Sequence, residues 1–251
     1  MARIKISGLC IAELLLKYDA NVNAQGGEYG NALQAACSEG YQGTVELLLK
    51  YGANVNAQGG RYGNALQAAC SEGYQGIVEL LLTYGANVNV QGGAYDNALQ
   101  AACYDGNEGI AELLLKYDAN VNAQGGEYGN ALQAACYKGN QNIVELLLKY
   151  GANVNAQGGE YGNALQTACY KGHQGIAELL LKYDANVNAQ GGAYDNALQA
   201  ACSEGYQGIA RLLLKKGALQ SCNKELYHYD GFCYSSGITL RAVDGRAVER
   251  K

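Results

Sequence analysis

The sequence predicts an all-α fold made by stacking: an α-solenoid of helix-turn-helix repeats with projecting, hairpin-like loops. Three observations predict it. The tetrad Asn-Ala-Leu-Gln begins at Asn31, Asn64, Asn97, Asn130, Asn163 and Asn196, a constant step of 33 residues, and a fixed period in the range of about 20–50 residues marks stacked supersecondary elements. Each copy holds two short helical patterns separated by glycine. Neither helix is long enough to stand alone, since isolated helices under about 12 residues are marginal in water, so stability must come from one copy packing on the next.

Within a copy, each element has a local reason. Asn31 is a favourable helix N-cap with Gln34 three residues on, a relative of the capping box in which both side chains satisfy backbone donors. Ala32 to Cys37 is a run of small and apolar residues that lets a neighbour approach closely, and Gly40 stops it. Gln42 to Tyr51 carries Val45, Leu48 and Leu49 at i, i+3, i+4 spacing, and Gly52 supplies a left-handed C-cap. Ala53 to Gly60 is polar and Gly-rich, as a turn or hairpin requires. In some copies Asp19, Asp118 and Asp184 take the place of Gly52, at a mild cost, because Asp tolerates left-handed backbone better than most residues.

These motifs resemble the ankyrin repeat: the period of 33, Ala-Ala on the first helix, Leu-Leu-Leu on the second, Lys171-Gly172-His173 at the inter-helix turn, and the exit Gly52-Ala-Asn-Val-Asn-Ala57. Asn31-Ala-Leu-Gln34 stands where that family has Thr-Pro-Leu-His, with Gln in place of the His that bonds the loop. The Tyr-Gly before Asn-Ala-Leu-Gln-Ala-Ala is similar to arrays in large fungal multidomain proteins. The resemblance covers about Met1 to Ala218. It implies a scaffold that binds a partner protein through its concave face. The alternative it raises is a sensor or regulatory region of a larger receptor-like NTPase.

In chain order, residues 1–27 hold only the second helix and exit loop of a repeat, with Ile4, Ile6 and Leu9 as a poor polar cap. This start reads as part of a longer array. Residues 28–218 are six repeats, and residues 219–251 are a non-repeat tail expected to be flexible. Part of that tail, through Leu226, Tyr227, Phe232 and Tyr234, is expected to cover the last repeat.

Composition narrows the function. The net charge of −5 argues against a surface that tracks phosphates, hence no nucleic acid. No apolar run approaches the length of about 18 residues that a membrane span needs. Six of the nine cysteines (Cys37, Cys70, Cys103, Cys136, Cys169, Cys202) repeat at one position. Helices pack about 8–10 Å apart, too far for a disulfide or shared zinc, so the ladder reads as small apolar core. Cys222, Cys233 and His228 in the tail lack a fourth ligand, and no metal or cofactor is expected. His173 and His228 are far apart, and no Ser or Cys has a base in the repeated frame, so no enzyme is expected. The expectation is a monomer inside the cell, in the cytoplasm or nucleus, with an unidentified protein partner.

The copies differ from one another at few places. These are the loop tips (Glu28, Arg61, Ala94, Glu127, Glu160, Ala193), the residues two further on (Gly30, Gly63, Asp96, Gly129, Gly162, Asp195), the first-helix ends and the inter-helix turn. In the family the tips and first helices line the ligand side. Candidate partner-binding residues are therefore Glu28, Glu39, Arg61, Glu72, Tyr104, Asp105, Glu127, Tyr137, Lys138, Glu160, Tyr170, Lys171 and Glu204. Tyr104, Tyr137 and Tyr170 are expected to form an aromatic stripe. The loop tyrosines present in every copy (Tyr29, Tyr62, Tyr95, Tyr128, Tyr161, Tyr194) are expected to pack loop on loop.

Overall fold

Each first helix starts where its asparagine says it should. In all six copies the Asn Oδ1 accepts a hydrogen bond of 2.9 Å from the backbone N–H of the Gln three residues on. The computed structural model describes residues 8–219 and the short strands β1 (His228–Tyr229) and β2 (Phe232–Cys233), which pair antiparallel. The chain divides into two compact units, Met1–Ala152 and Asn153–Lys251. The first contains α1 (Gly8–Lys17), α2 (Ala32–Ser38), α3 (Gln42–Lys50), α4 (Ala65–Glu72), α5 (Gln75–Thr83), α6 (Ala98–Asp105), α7 (Glu108–Lys116), α8 (Ala131–Lys138) and α9 (Gln141–Lys149). The second contains α10 (Ala164–Tyr170), α11 (Gln174–Lys182), α12 (Ala197–Ser203) and α13 (Gln207–Lys215). The chain is all-α apart from β1 and β2 among the described residues. Ile4, Ile6, Leu226, Tyr227 and Tyr234, to which the sequence reading gave capping roles, lie outside them, as do the side chains of β1 and β2.

In the first unit the first helices form one row, α2 on α4 on α6 on α8, and the second helices another, α3 on α5 on α7 on α9; in the second unit α10 packs on α12 and α11 on α13. The layer between rows is the core. Val45, Leu48 and Leu49 are buried as their spacing predicts, and so are Leu81, Leu114, Leu147, Leu180 and Leu213. Most of the small first-helix residues are buried, Cys37, Cys70, Cys103, Cys136 and Cys169 wholly so, which allows the close approach of backbones.

The glutamine of the expected capping box does something else. Its side chain leaves its own helix start and donates to the next repeat's loop: Gln34 Nε2 to the Ala57 and Gly59 carbonyls at 3.1 and 3.2 Å, Gln67 Nε2 to those of Val90 and Asp96 at 3.1 and 3.2 Å, Gln166 Nε2 to those of Gly191 and Asp195 at 2.8 and 3.0 Å. Gln34, Gln67 and Gln166 are buried, and their Oε1 atoms rest against Gly30, Gly63 and Gly162, where an added Cβ would collide. This constrains a position that varies between copies. Its residues have left-handed backbone throughout, so Gly alternates only with Asp, at Asp96 (φ 70°) and Asp195 (φ 61°). Asp19, Asp118 and Asp184, at φ 58–63°, fill the Gly52 position (φ 83°) in the same way.

A second ladder runs through the exit loops. The later Asn of an Asn-Val-Asn reaches the following repeat through its side-chain amide. Asn56 Nδ2 donates to the Gly85 carbonyl at 3.1 Å and its Oδ1 accepts from Asn87 N at 2.7 Å. Asn23 and Asn89 do the same in the first unit, and Asn155 and Asn188 in the second. The earlier Asn folds onto its own loop, as Asn54 Oδ1 accepts from Asn56 N at 3.0 Å.

Candidate partner-binding face

The loop between a second helix and the next first helix folds back as a tight hairpin, with Gly59 N donating to the Gly63 carbonyl at 2.9 Å. Adjacent tips join through backbone, Arg61 N to the Glu28 carbonyl and Ala94 N to the Arg61 carbonyl, each 3.0 Å. Gly60 makes this approach possible, since a Cβ there would strike the Tyr29 carbonyl.

In the first unit the predicted residues from Glu28 to Lys138 fall in local clusters of side-chain contacts, one around Tyr62 and a larger one around Tyr104. Arg61 pairs with Glu28 at 3.2 Å and lies 4.7 Å from the Tyr62 ring centre. Tyr62 is buried and donates its hydroxyl to Glu72 at 2.7 Å; Tyr29 donates to Glu39 at 3.3 Å. Burial first, and then the bond to Glu72, push the Tyr62 hydroxyl up to about 12. Ser71 Oγ donates to Asp105 Oδ2 at 3.0 Å. Partial desolvation raises the Asp105 carboxyl, opposed by this bond and by Lys138 and Tyr95. Tyr104 is half-buried between Tyr95 and Tyr128, with ring centres at 5.5 and 4.8 Å. It stacks on Tyr137 at 6.1 Å, and Tyr128 lies 5.0 Å from Tyr137. The Lys138 ammonium sits 4.0 Å over the Tyr104 ring, a cation–π geometry. Glu127 is exposed at its tip.

In the second unit Tyr170 lies between Tyr161 and Tyr194, at 4.9 and 4.8 Å, and Lys171 stands 4.9 Å from the Tyr170 ring centre. Glu160 and Glu204 are exposed.

Two features differ from the sequence reading. Tyr104, Tyr137 and Tyr170 are not a free surface stripe: they are half-buried and interleaved with loop tyrosines. Nor do those loop tyrosines pack loop on loop, since each packs on a first-helix end. Ser71, Tyr62, Tyr95, Tyr128, Tyr161 and Tyr194 thus belong to the candidate face. Their signal was present in the sequence: each loop tyrosine precedes a first-helix end by a constant interval, as Tyr95 does Tyr104 and Tyr128 does Tyr137.

At the inter-helix turn, Asn107 Nδ2 donates to the Cys70 carbonyl at 2.8 Å and Asn140 Nδ2 to that of Cys103 at 3.0 Å, each closing the previous repeat's first helix. The variation there exchanges one helix closure for another, since Tyr74 instead packs on Gly40. Among the described residues no three His, Cys, Asp or Glu side chains converge as a metal site would need, and no helix is long and apolar enough to cross a membrane.

Stacked pairs of short helices with hairpin tips define a repeat scaffold. A family model for ankyrin repeats matches residues 1–92, 91–158 and 156–225, and the chain belongs to that family. It is similar to the crystal structure of the human ASB11 ankyrin repeat domain, at 25% identity and a TM-score of 0.71, over 82% of this chain and 92% of that one. No curated protein sequence matches the chain.

Proposed function

We propose that this chain is a non-catalytic scaffold that binds a partner protein along the loop tips and first-helix ends. Ankyrin repeats in general mediate protein–protein interaction. The observation that carries the finer reading is the pair of clusters Glu28–Arg61–Tyr62–Glu72 and Tyr95–Tyr104–Tyr128–Tyr137–Lys138, in which buried and half-buried rings are flanked by exposed charges of both signs. Rings already held by their neighbours lose little freedom on binding, which suits tyrosine to interface anchors. The charges would orient a partner and speed its approach. The same reading takes residues 28–218 as six repeats, residues 1–27 as half of one and residues 219–251 as lying outside the array. It takes the protein as a monomer, and a reducing compartment, cytoplasm or nucleus, suits the free thiols of Cys37, Cys70, Cys103, Cys169 and Cys202. Affinity capture with the full chain as bait tests the proposal. Partners recovered by the native chain should be lost with Tyr104→Ala plus Tyr137→Ala and kept with Lys50→Ala plus Lys116→Ala on the second helices. The reverse pattern would move the site elsewhere.

A further inference from the structure

The seams between successive exit loops of the first unit are alike except at one. At the first two the tips join through backbone, and a Cβ at Gly60 or Gly93 would strike the carbonyl of Tyr29 or Tyr62. At the third, Glu127 N makes no such bond to the Ala94 carbonyl, and a Cβ at Gly126 would stand 3.5 Å from the Tyr95 carbonyl. Gln100 Nε2 keeps a single bond across this seam, to the Gly125 carbonyl at 3.3 Å, where Gln34 and Gln67 each make at least two. The cause is Asp96. Gly30 and Gly63 hold the equivalent places with no side chain, whereas the Asp96 carboxylate lies against Gly125 and its Cβ against Gly126, so these two loops stand apart.

The opened seam is a cleft of about 430 Å³, inside the range of about 300–1,000 Å³ typical of small-molecule sites. Its floor is apolar, made by Val88, Leu99, Ala119 and Ala123, with Leu99 only 2% exposed. Its walls are amides, and neither a charged residue nor an aromatic ring lines it. The Asp96 carboxylate fixes two of these amides, accepting from Gln91 Nε2 and Asn97 Nδ2 at 3.3 Å each. Gln91 Nε2 also donates across the seam to the Gln124 carbonyl at 3.0 Å. Left without a partner among the described residues are Gln91 Oε1, Asn120 Nδ2 and both ends of the Gln124 amide, a mixture of neutral acceptors and donors.

We propose that the cleft between loops 88–91 and 119–124 is a binding site for a neutral sugar of one or two rings. A phosphate or carboxylate would meet no cation there, and a flat base no ring to stack on. A sugar offers hydroxyls that donate and accept around its edge, matching the amides, and C–H faces that lie on the aliphatic floor. The cleft is at the start of α6 and Tyr104 near its end, so the site stands or falls independently of the partner-binding face.

The test is saturation-transfer NMR on the full chain with glucose, N-acetylglucosamine and maltose, and with glucose 6-phosphate as the charged comparison. The expected result is saturable binding of at least one neutral sugar, tighter than that of the phosphate. Asn120→Ala plus Gln124→Ala, both exposed side chains, should weaken it at least tenfold. Asp96→Gly should abolish it, because glycine is the residue at the equivalent places and lets the seam close; slower hydrogen exchange at Glu127 N reports that closure. Gln58→Ala, at the preceding seam, should leave binding unchanged. No saturable binding of any of the neutral sugars overturns the proposal, as does binding that survives Asp96→Gly or the amide pair. Equal or tighter binding of glucose 6-phosphate assigns the cleft to anions and overturns it too.

Discussion

Gln67 shows how much a single side chain can do in a repeated frame. It is buried, and its amide ties α4 to the next loop through the Val90 and Asp96 carbonyls. Gln67→Ala would leave those carbonyls without this donor, and a buried polar group deprived of its partner costs about 1–3 kcal/mol. Exposed Gln42, bonded only to Glu46, should cost about 0.5 kcal/mol or less when changed to Ala. Urea unfolding of the two variants checks the contrast. Glycine divides the same way. Gly60 and Gly52 both have positive φ, but a Cβ collides with the Tyr29 backbone at Gly60 and meets open space at Gly52. Gly52→Ala should cost about 1–2 kcal/mol from backbone alone, Gly60→Ala more, and Gly52→Asp little, since Asp19, Asp118 and Asp184 already occupy that position. Tyr62 adds a pH dependence. Its folded-state pKa is raised to about 12 by burial and then by Glu72. The folded state therefore holds the proton more tightly than the unfolded chain, whose tyrosines titrate near 10. Its contribution to stability is complete below about pH 10 and is lost as pH rises toward 12. Unfolding midpoints between pH 8 and 11.5 should fall less steeply in Tyr62→Phe than in the native chain.

At the scale of the element, position in the stack decides the energetics. Leu147 in α9 is wholly buried, so Leu147→Ala should cost about 2–5 kcal/mol. Leu15 occupies the same place in α1 but is exposed, and Leu15→Ala should cost well under 1 kcal/mol; equal losses by denaturant titration would contradict the packing described here. The cysteine ladder follows the same rule. Burial pushes Cys103 and Cys169 far up, and the half-buried Cys202 less enclosed at the last pair. A thiol reagent should label Cys202 before Cys103 in the native protein, and all of them alike after denaturation. The helices themselves were legible because their causes are local: an Asn cap, an i, i+3, i+4 stripe and a glycine stop all lie within one copy of the repeat. The Gln and Asn ladders were not legible as ladders. Asn56 bonds Gly85 and Asn87, and Gln34 bonds Ala57 and Gly59, across intervals of more than twenty residues. Only the stacking register brings those groups together, and a single copy read alone offers Gln34 a nearer partner at its own helix start.

For the molecule as a whole, the period of 33 specified the family, while the face was only half visible. Comparing copies picked out Tyr104, Tyr137 and Lys138 because they vary. It passed over Tyr95 and Tyr128 because they do not, although rings of both kinds interleave in one row. That interleaving sharpens what a binding experiment should find. Tyr104 touches Tyr95, Tyr128, Tyr137 and Lys138, so removing its ring disturbs four neighbours, whereas Lys138→Glu leaves the rings in place and reverses one charge. Lys138→Glu should therefore slow association with a captured partner several-fold and flatten its salt dependence, with little change in dissociation. Tyr104→Ala should act mainly on dissociation, speeding it by tenfold or more, because packed aromatic anchors hold a complex once formed. Surface plasmon resonance at two ionic strengths separates the two. If Lys138→Glu instead accelerates dissociation as strongly as Tyr104→Ala, the lysine is a buried anchor of the complex, and the division between steering charges and holding rings is wrong for this face.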